Sequence, residues 1–170
     1  MKQTLIWQRL DVVARSLFPF LLTVLLVVVS MVPMRVPSLA PIMPALALVA
    51  VYYWAVYTPM LMPIWAVFLI GLFQDLLIGD ALGAGIIALL CVHAFIGWQR
   101  RFFAQASFSM IWCMFMLVAA GAMVMIWLLT SFAMSQPVDP RPALFRYLMT
   151  VAVYPVFAWL MVQGQRIMHR

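Results

Sequence analysis

The 170-residue sequence contains very little charge, since Asp, Glu, Lys and Arg together make up 8% of it and Glu is absent. Hydrophobic residues make up 68%, and the mean hydropathy is +1.13. So few polar side chains cannot coat a water-soluble globule, and the composition therefore predicts an integral membrane protein. A helical span needs about 20 apolar residues to cross about 30 Å of hydrocarbon. The chain thus has room for about six spans and for no soluble domain.

Acidic residues are scarcer than basic ones, with four Asp against ten Lys or Arg and a net charge of +6. In a soluble protein this balance would suggest nucleic acid as a partner. In a membrane protein it is better explained by Lys and Arg that orient helices and contact anionic lipid headgroups. We therefore expect contact with membrane lipids and no binding of nucleic acid. Cys91 and Cys113 lie in apolar runs without C-x-x-C spacing, which predicts unpaired residues of the helical core.

Six apolar runs follow an N-terminal amphipathic lead-in of residues 1–16, which we interpret as an interfacial segment. The predicted spans cover about residues 17–32, 42–57, 60–78, 81–98, 108–132 and 145–162. Prolines mark several connections, and Pro155 predicts a kink in the sixth span. The fold class is therefore an all-α integral membrane protein, a single domain built as a six-transmembrane-helix bundle.

The basic residues predict how the bundle is oriented. With six spans both termini lie on one side, and that side then holds most of the basic residues: Lys2, Arg9, Arg15, Arg100, Arg101, Arg166 and Arg170. Because cytoplasmic flanks collect Lys and Arg, both termini are predicted to be cytoplasmic. Arg100 and Arg101 form a basic flank after the fourth span, which topology alone explains, although the pair could also contact a cytoplasmic protein. The second span ends in an aromatic group, Tyr52, Tyr53, Trp54 and Tyr57, which predicts an end at headgroup level.

Asp75 is the most unusual residue, because an aspartate at the centre of a span costs about 2.5–3.5 kcal/mol on insertion scales. Gln74 adds a second polar group, and Gly71 and Gly79 lie four residues to either side, where small residues allow close helix approach. Two interpretations remain open. The cluster either contacts a partner helix or ligand near the outer leaflet, or Asp75 caps the fourth span or reaches water.

Patterns typical of catalysis or metal binding are not found. The segment GDALGAG, residues 79–85, lacks the strand and lysine of a phosphate cradle and predicts a turn followed by tight helix packing. His93 lies within a span and His169 in the basic tail, so a metal site is not expected, and we expect His93 to bond a neighbouring span. Serines lack His and Asp partners at a supporting spacing. We therefore expect no enzyme activity, catalytic residue, metal or cofactor.

At the third span the sequence becomes specific. The arrangement G-L-x-Q-D-x-L-x-G-x-x-L-G, formed by Gly71, Leu72, Gln74, Asp75, Leu77, Gly79, Leu82 and Gly83, resembles the rod shape-determining membrane protein MreD family. The preceding stretch PALALVAVYYWAVYTP, residues 44–59, and the chain length also resemble that family. Asp80 departs mildly from its pattern, because a Ser often follows the glycine there.

The resemblance implies a non-enzymatic scaffold of the bacterial inner membrane that helps organise peptidoglycan synthesis and rod shape. It implies MreC as the main partner, with MreB, RodA and a class B penicillin-binding protein in the same elongation complex. Gly71, Gln74, Asp75, Gly79 and Gly83 would then be a partner-binding or structural cluster. The family is also similar in architecture to the S components of energy-coupling factor transporters, whose six-helix fold has an outward pocket. The alternative function is therefore the substrate-binding membrane subunit of a vitamin or small-molecule transporter.

Overall fold

A computed structural model describes residues 19–30, 44–59, 62–78, 82–99, 106–135 and 138–168, with side chains as far as residue 160. Over these residues the chain is entirely helical. The helices are α1 (Pro19–Ser30), α2 (Leu46–Tyr57), α3 (Ile64–Ile78), α4 (Ala84–Trp98), α5 (Phe108–Met134) and α6 (Arg141–Met168). Among the described residues, α5 and α6 are long and apolar enough to cross a membrane, while the other four helices are apolar but shorter. The all-α class is confirmed, and the helices fit a membrane protein.

Helix α2 lies at the centre of the bundle. Its residues from Ala47 to Ala55 are all buried, and it packs against α3, α4 and α6. Around it, α3 packs on α4, α4 on α5, and α5 on α6. The sequence explains this position, because α2 carries apolar or aromatic side chains on every face and so has no side suited to water.

The aromatic residues near the end of α2 belong to this core. Tyr52, Tyr53 and Trp54 are at most 2% exposed. The Tyr52 ring packs edge-on against Phe115 of α5 with 4.9 Å between centroids, and its hydroxyl donates to the carbonyl oxygen of Ile111 at 2.9 Å. These three rings therefore face the interior of the bundle, and α5 offers Tyr52 both an aromatic surface and a hydrogen-bond acceptor.

Prolines set several helix boundaries. Pro19 is the first residue of α1, where its missing N–H leaves no intrahelical bond unmade. Pro63 directly precedes α3, and its carbonyl oxygen accepts from the N–H of Val67 at 3.3 Å. Helix α6 begins at Arg141, before the predicted residue 145, because Asp139 Oδ1 accepts from the Arg141 N–H at 3.0 Å and starts the helical turn.

Proline 155 lies inside α6 and cannot supply an N–H to the carbonyl of Val151, four residues earlier. The indole Nε1 of Trp112 on α5 donates to that carbonyl oxygen at 3.4 Å. The Tyr147 hydroxyl likewise donates to the Met116 carbonyl oxygen at 3.2 Å. Two side-chain bonds to backbone therefore join α5 and α6, and one of them uses the acceptor that the proline leaves open.

Three side chains differ from the sequence predictions. Cys91 and Cys113 are unpaired, as expected, but they are exposed on the bundle surface rather than in the core. His93 Nδ1 is buried and has no hydrogen-bond partner within the described chain, so the expected bond to a neighbouring helix is wrong at that atom.

Candidate functional site

The polar cluster predicted from the sequence lies where α3 ends and α4 begins. Gln74 and Asp75 are buried near the end of α3, and Gly83 directly precedes α4. Gly79 lies outside the described residues, as does the basic pair of Arg100 and Arg101.

Asp75 caps α4 from the neighbouring helix. Its Oδ2 accepts from the backbone N–H of Gly83 at 2.9 Å and of Ile86 at 3.3 Å, and its side chain is only 6% exposed. The first N–H groups of a helix have no intrahelical acceptor, and the positive end of the helix dipole favours a carboxylate. The Asp75 carboxylate is thus engaged inside the chain, where it ties the end of α3 to the start of α4.

Glycines allow α3 and α4 to approach closely around this cap. A Cβ on Gly71 would lie 2.8 Å from the Ile86 Cα, and a Cβ on Gly85 would overlap Asp75 Oδ1. Gly83 serves a different purpose, because its φ of +103° is a conformation that residues with a Cβ rarely adopt. Gly85 was not among the predicted site residues, although the sequence GDALGAG carried the signal for tight packing.

A cavity of about 520 Å³ lies at the same end of the bundle as this hairpin. Helices α1, α3 and α5 contribute their last turns to it, and α2 and α6 contribute their first turns. Its described polar lining consists of Ser30, Gln74, Thr130, Asp139 and Arg146, and most of the remaining lining is apolar, including Val27, Leu77, Met123, Ile126 and Trp127.

Gln74 connects the predicted cluster to this cavity. Its side chain is 8% exposed, and its Oε1 finds no hydrogen-bond partner among the described residues. Arg146 and Asp139 come from the start of α6, far from Gln74 in sequence. The sequence did not point to either residue, because only the packing of α6 on α5 and α2 brings them to one cavity with Gln74.

The arrangement places polar and charged groups in a largely apolar wall. A buried amide together with charged groups in such a wall is typical of sites that orient an amphipathic molecule. Within the described ranges, no three His, Cys, Asp or Glu side chains form a group able to hold a metal ion.

Comparison with known protein families gives one match. Residues 12–163 match a family described as rod shape-determining protein MreD, so the matched region extends over most of the chain, from the lead-in to the last helix. Comparison with curated proteins and with solved structures gives no match for this chain.

Proposed function

The chain belongs to the family of rod shape-determining protein MreD, and from this membership we propose that it is a non-enzymatic scaffold of the cell-elongation machinery in the bacterial inner membrane. Membership in the family gives the chain a role in rod shape determination. The proposal adds that it binds MreC and, with MreB, RodA and a class B penicillin-binding protein, organises peptidoglycan synthesis. The family match over residues 12–163 is the observation that carries it.

The proposed architecture is a six-span bundle with both termini in the cytoplasm, similar to the S-component fold. Two observations support it. The ends of α1, α3 and α5 line one cavity together with the starts of α2 and α6, which is the alternation that successive crossings require. The basic flanks 1–16, 99–101 and 164–170 then fall on the opposite side, as the positive-inside rule demands.

We place the MreC contact on the outer end of the α3–α4 hairpin. Asp75 is buried, so its role there is to hold the hairpin in shape, while Leu76 and Leu82 are 62% and 71% exposed beside it. Exposed apolar side chains at the end of a closely packed helix pair are suited to a partner with a transmembrane helix, because such helices associate mainly by close packing. Gly71, Gln74 and Gly83 belong to the same supporting cluster, to which the sequence pattern adds Gly79.

The test is a mild-detergent pull-down of the tagged protein from its native membrane, with bound proteins identified by mass spectrometry. Leu82→Trp adds bulk at the proposed contact, and Leu117→Trp is the matched control because Leu117 of α5 is also 71% exposed. We expect Leu82→Trp to lower MreC recovery about tenfold, as a clash costing about 1.4 kcal/mol would do, and Leu117→Trp to leave it unchanged. Asp75→Ala, at equal expression, should also reduce recovery.

Two results would contradict parts of this proposal. Equal MreC recovery by all three variants and by the wild type would show that the hairpin end is not the contact. Recovery of an ATP-binding-cassette module in place of MreC would favour the transporter-subunit alternative, which the cavity at the outer end of the bundle makes worth testing.

A further inference from the structure

The cavity at the end of the bundle has no part in the proposed scaffold role. We propose that it binds a phosphoethanolamine headgroup, that is, a primary ammonium joined to a phosphate diester, with an aminophospholipid of the membrane as its source. Its volume of about 520 Å³ falls within the range of about 300–1,000 Å³ that small-molecule sites occupy.

The lining of the cavity carries both signs of charge. Arg146 supplies a permanent cation whose planar guanidinium matches phosphate oxygens, and Asp139 supplies a carboxylate at the rim. Arg146 also interacts within the chain, but a guanidinium has five N–H donors and can serve a ligand as well. One cation and one anion in the same described lining favour a zwitterionic ligand over a purely anionic one.

Gln74 indicates that the cationic group of the ligand carries N–H donors. Gln74 lines the cavity, and its buried Oε1 is an acceptor without a donor among the residues described. A buried acceptor left unpaired costs about 1–3 kcal/mol, so a ligand that brings an N–H gains from pairing with it. A primary ammonium has three N–H donors, whereas the quaternary ammonium of choline has none.

The apolar lining accounts for the rest of the ligand. Met123, Ile126 and Trp127 of α5 contribute apolar surface to the cavity wall, against which the start of an acyl chain can pack. All five contributing helices end or begin at this cavity. In the proposed six-span topology the cavity therefore lies at the depth of the outer headgroups. This step is the one part of the inference that rests on the proposed function.

The first experiment uses wild-type protein in detergent and needs no variant. Native mass spectrometry measures the dissociation constants of phosphatidylethanolamine, phosphatidylcholine and phosphatidylglycerol with identical acyl chains. We expect phosphatidylethanolamine to bind about tenfold more tightly than either of the others, which corresponds to one hydrogen bond to a charged group. Equal binding of phosphatidylethanolamine and phosphatidylcholine would overturn the proposal.

Paired variants assign the effect to the cavity. In Gln74→Leu the preference for phosphatidylethanolamine over phosphatidylcholine should disappear, while Gln99→Leu, at the far end of α4, should keep it. Arg146→Gln should weaken both lipids about tenfold, and Arg141→Gln, on an exposed neighbour that does not line the cavity, should weaken neither. Equal effects of the cavity variants and their controls would overturn the assignment.

Competition by a soluble headgroup compound distinguishes the two possible sources of this headgroup, a membrane lipid and a soluble ligand. Glycerophosphoethanolamine that competes as strongly as the lipid would assign the site to a soluble ligand of the same chemistry, and weak competition would assign it to the membrane. Both measurements use isolated protein without MreC. Failure of lipid selectivity is therefore distinguishable from failure of the scaffold role, which the pull-down tests separately.

Discussion

Replacing Gly71 by Ala tests whether the α3–α4 hairpin depends on close helix contact. The added Cβ would lie 2.8 Å from the Ile86 Cα, a backbone atom that cannot rotate away. Carbon atoms attract each other best at about 3.5–4.0 Å, so the two helices must separate by about 0.7 Å or more at this point.

The expected loss follows from two opposing contributions. Overpacking costs about 1–3 kcal/mol, and separation of the helices also stretches the bond from the Ile86 N–H to Asp75 Oδ2, which is already 3.3 Å long. Ala stabilises a helix interior by about 0.5–1 kcal/mol relative to Gly, which offsets part of this loss. We therefore expect a net destabilisation of about 1–2 kcal/mol, or a fall of about 2–8 °C in the unfolding temperature.

Thermal unfolding in detergent, followed by the fluorescence of the seven tryptophans, measures this effect. Gly97→Ala and Gly121→Ala are matched controls, because a Cβ at either position meets no atom of the described chain within 4 Å. Both controls should unfold at the wild-type temperature or slightly above it. If Gly71→Ala unfolds at the same temperature as these two controls, the hairpin does not depend on a glycine contact and the reasoning is refuted.

Two further predictions concern polar bonds between helices. Thr150→Val removes the acceptor of the N–H of Ala45, the residue directly before α2, at 3.0 Å, and should destabilise by about 1–3 kcal/mol in denaturant titration. Thr23→Val, which loses only a bond within its own helix, should cost clearly less, and equal losses would contradict the argument. Trp112→Phe removes the donor to the Val151 carbonyl and should cost about 0.5–1.5 kcal/mol. In a Pro155→Ala background the backbone N–H of residue 155 can bond the Val151 carbonyl, so the destabilisation caused by Trp112→Phe should be smaller. If a double-mutant cycle gives the same destabilisation in both backgrounds, the proline is not the reason that this carbonyl needs the indole donor.

Composition and local spacing were sufficient to predict much of this protein. The scarcity of charge predicted apolar helices throughout, and the arrangement from Gly71 to Gly83 identified both the family and the hairpin at which α3 meets α4. Such features are accessible from sequence because they depend on residues close together in the chain. The contact from Asp75 to the start of α4 covers only eight to eleven residues.

Features that join distant parts of the chain were decided by the tertiary structure alone. The bond from the Ala45 N–H to Thr150 Oγ1 links residues 105 positions apart, and Gln74 and Arg146 share a cavity although their helices are separated by two others in sequence. The aromatic residues of α2 show the same limit, since an apolar aromatic run suits both a membrane interface and a core. The sequence by itself determined that the helices are apolar and where most of them begin and end. Only tertiary packing decided which helix faces meet, because side chains of equal hydropathy can contact different neighbours in the folded chain.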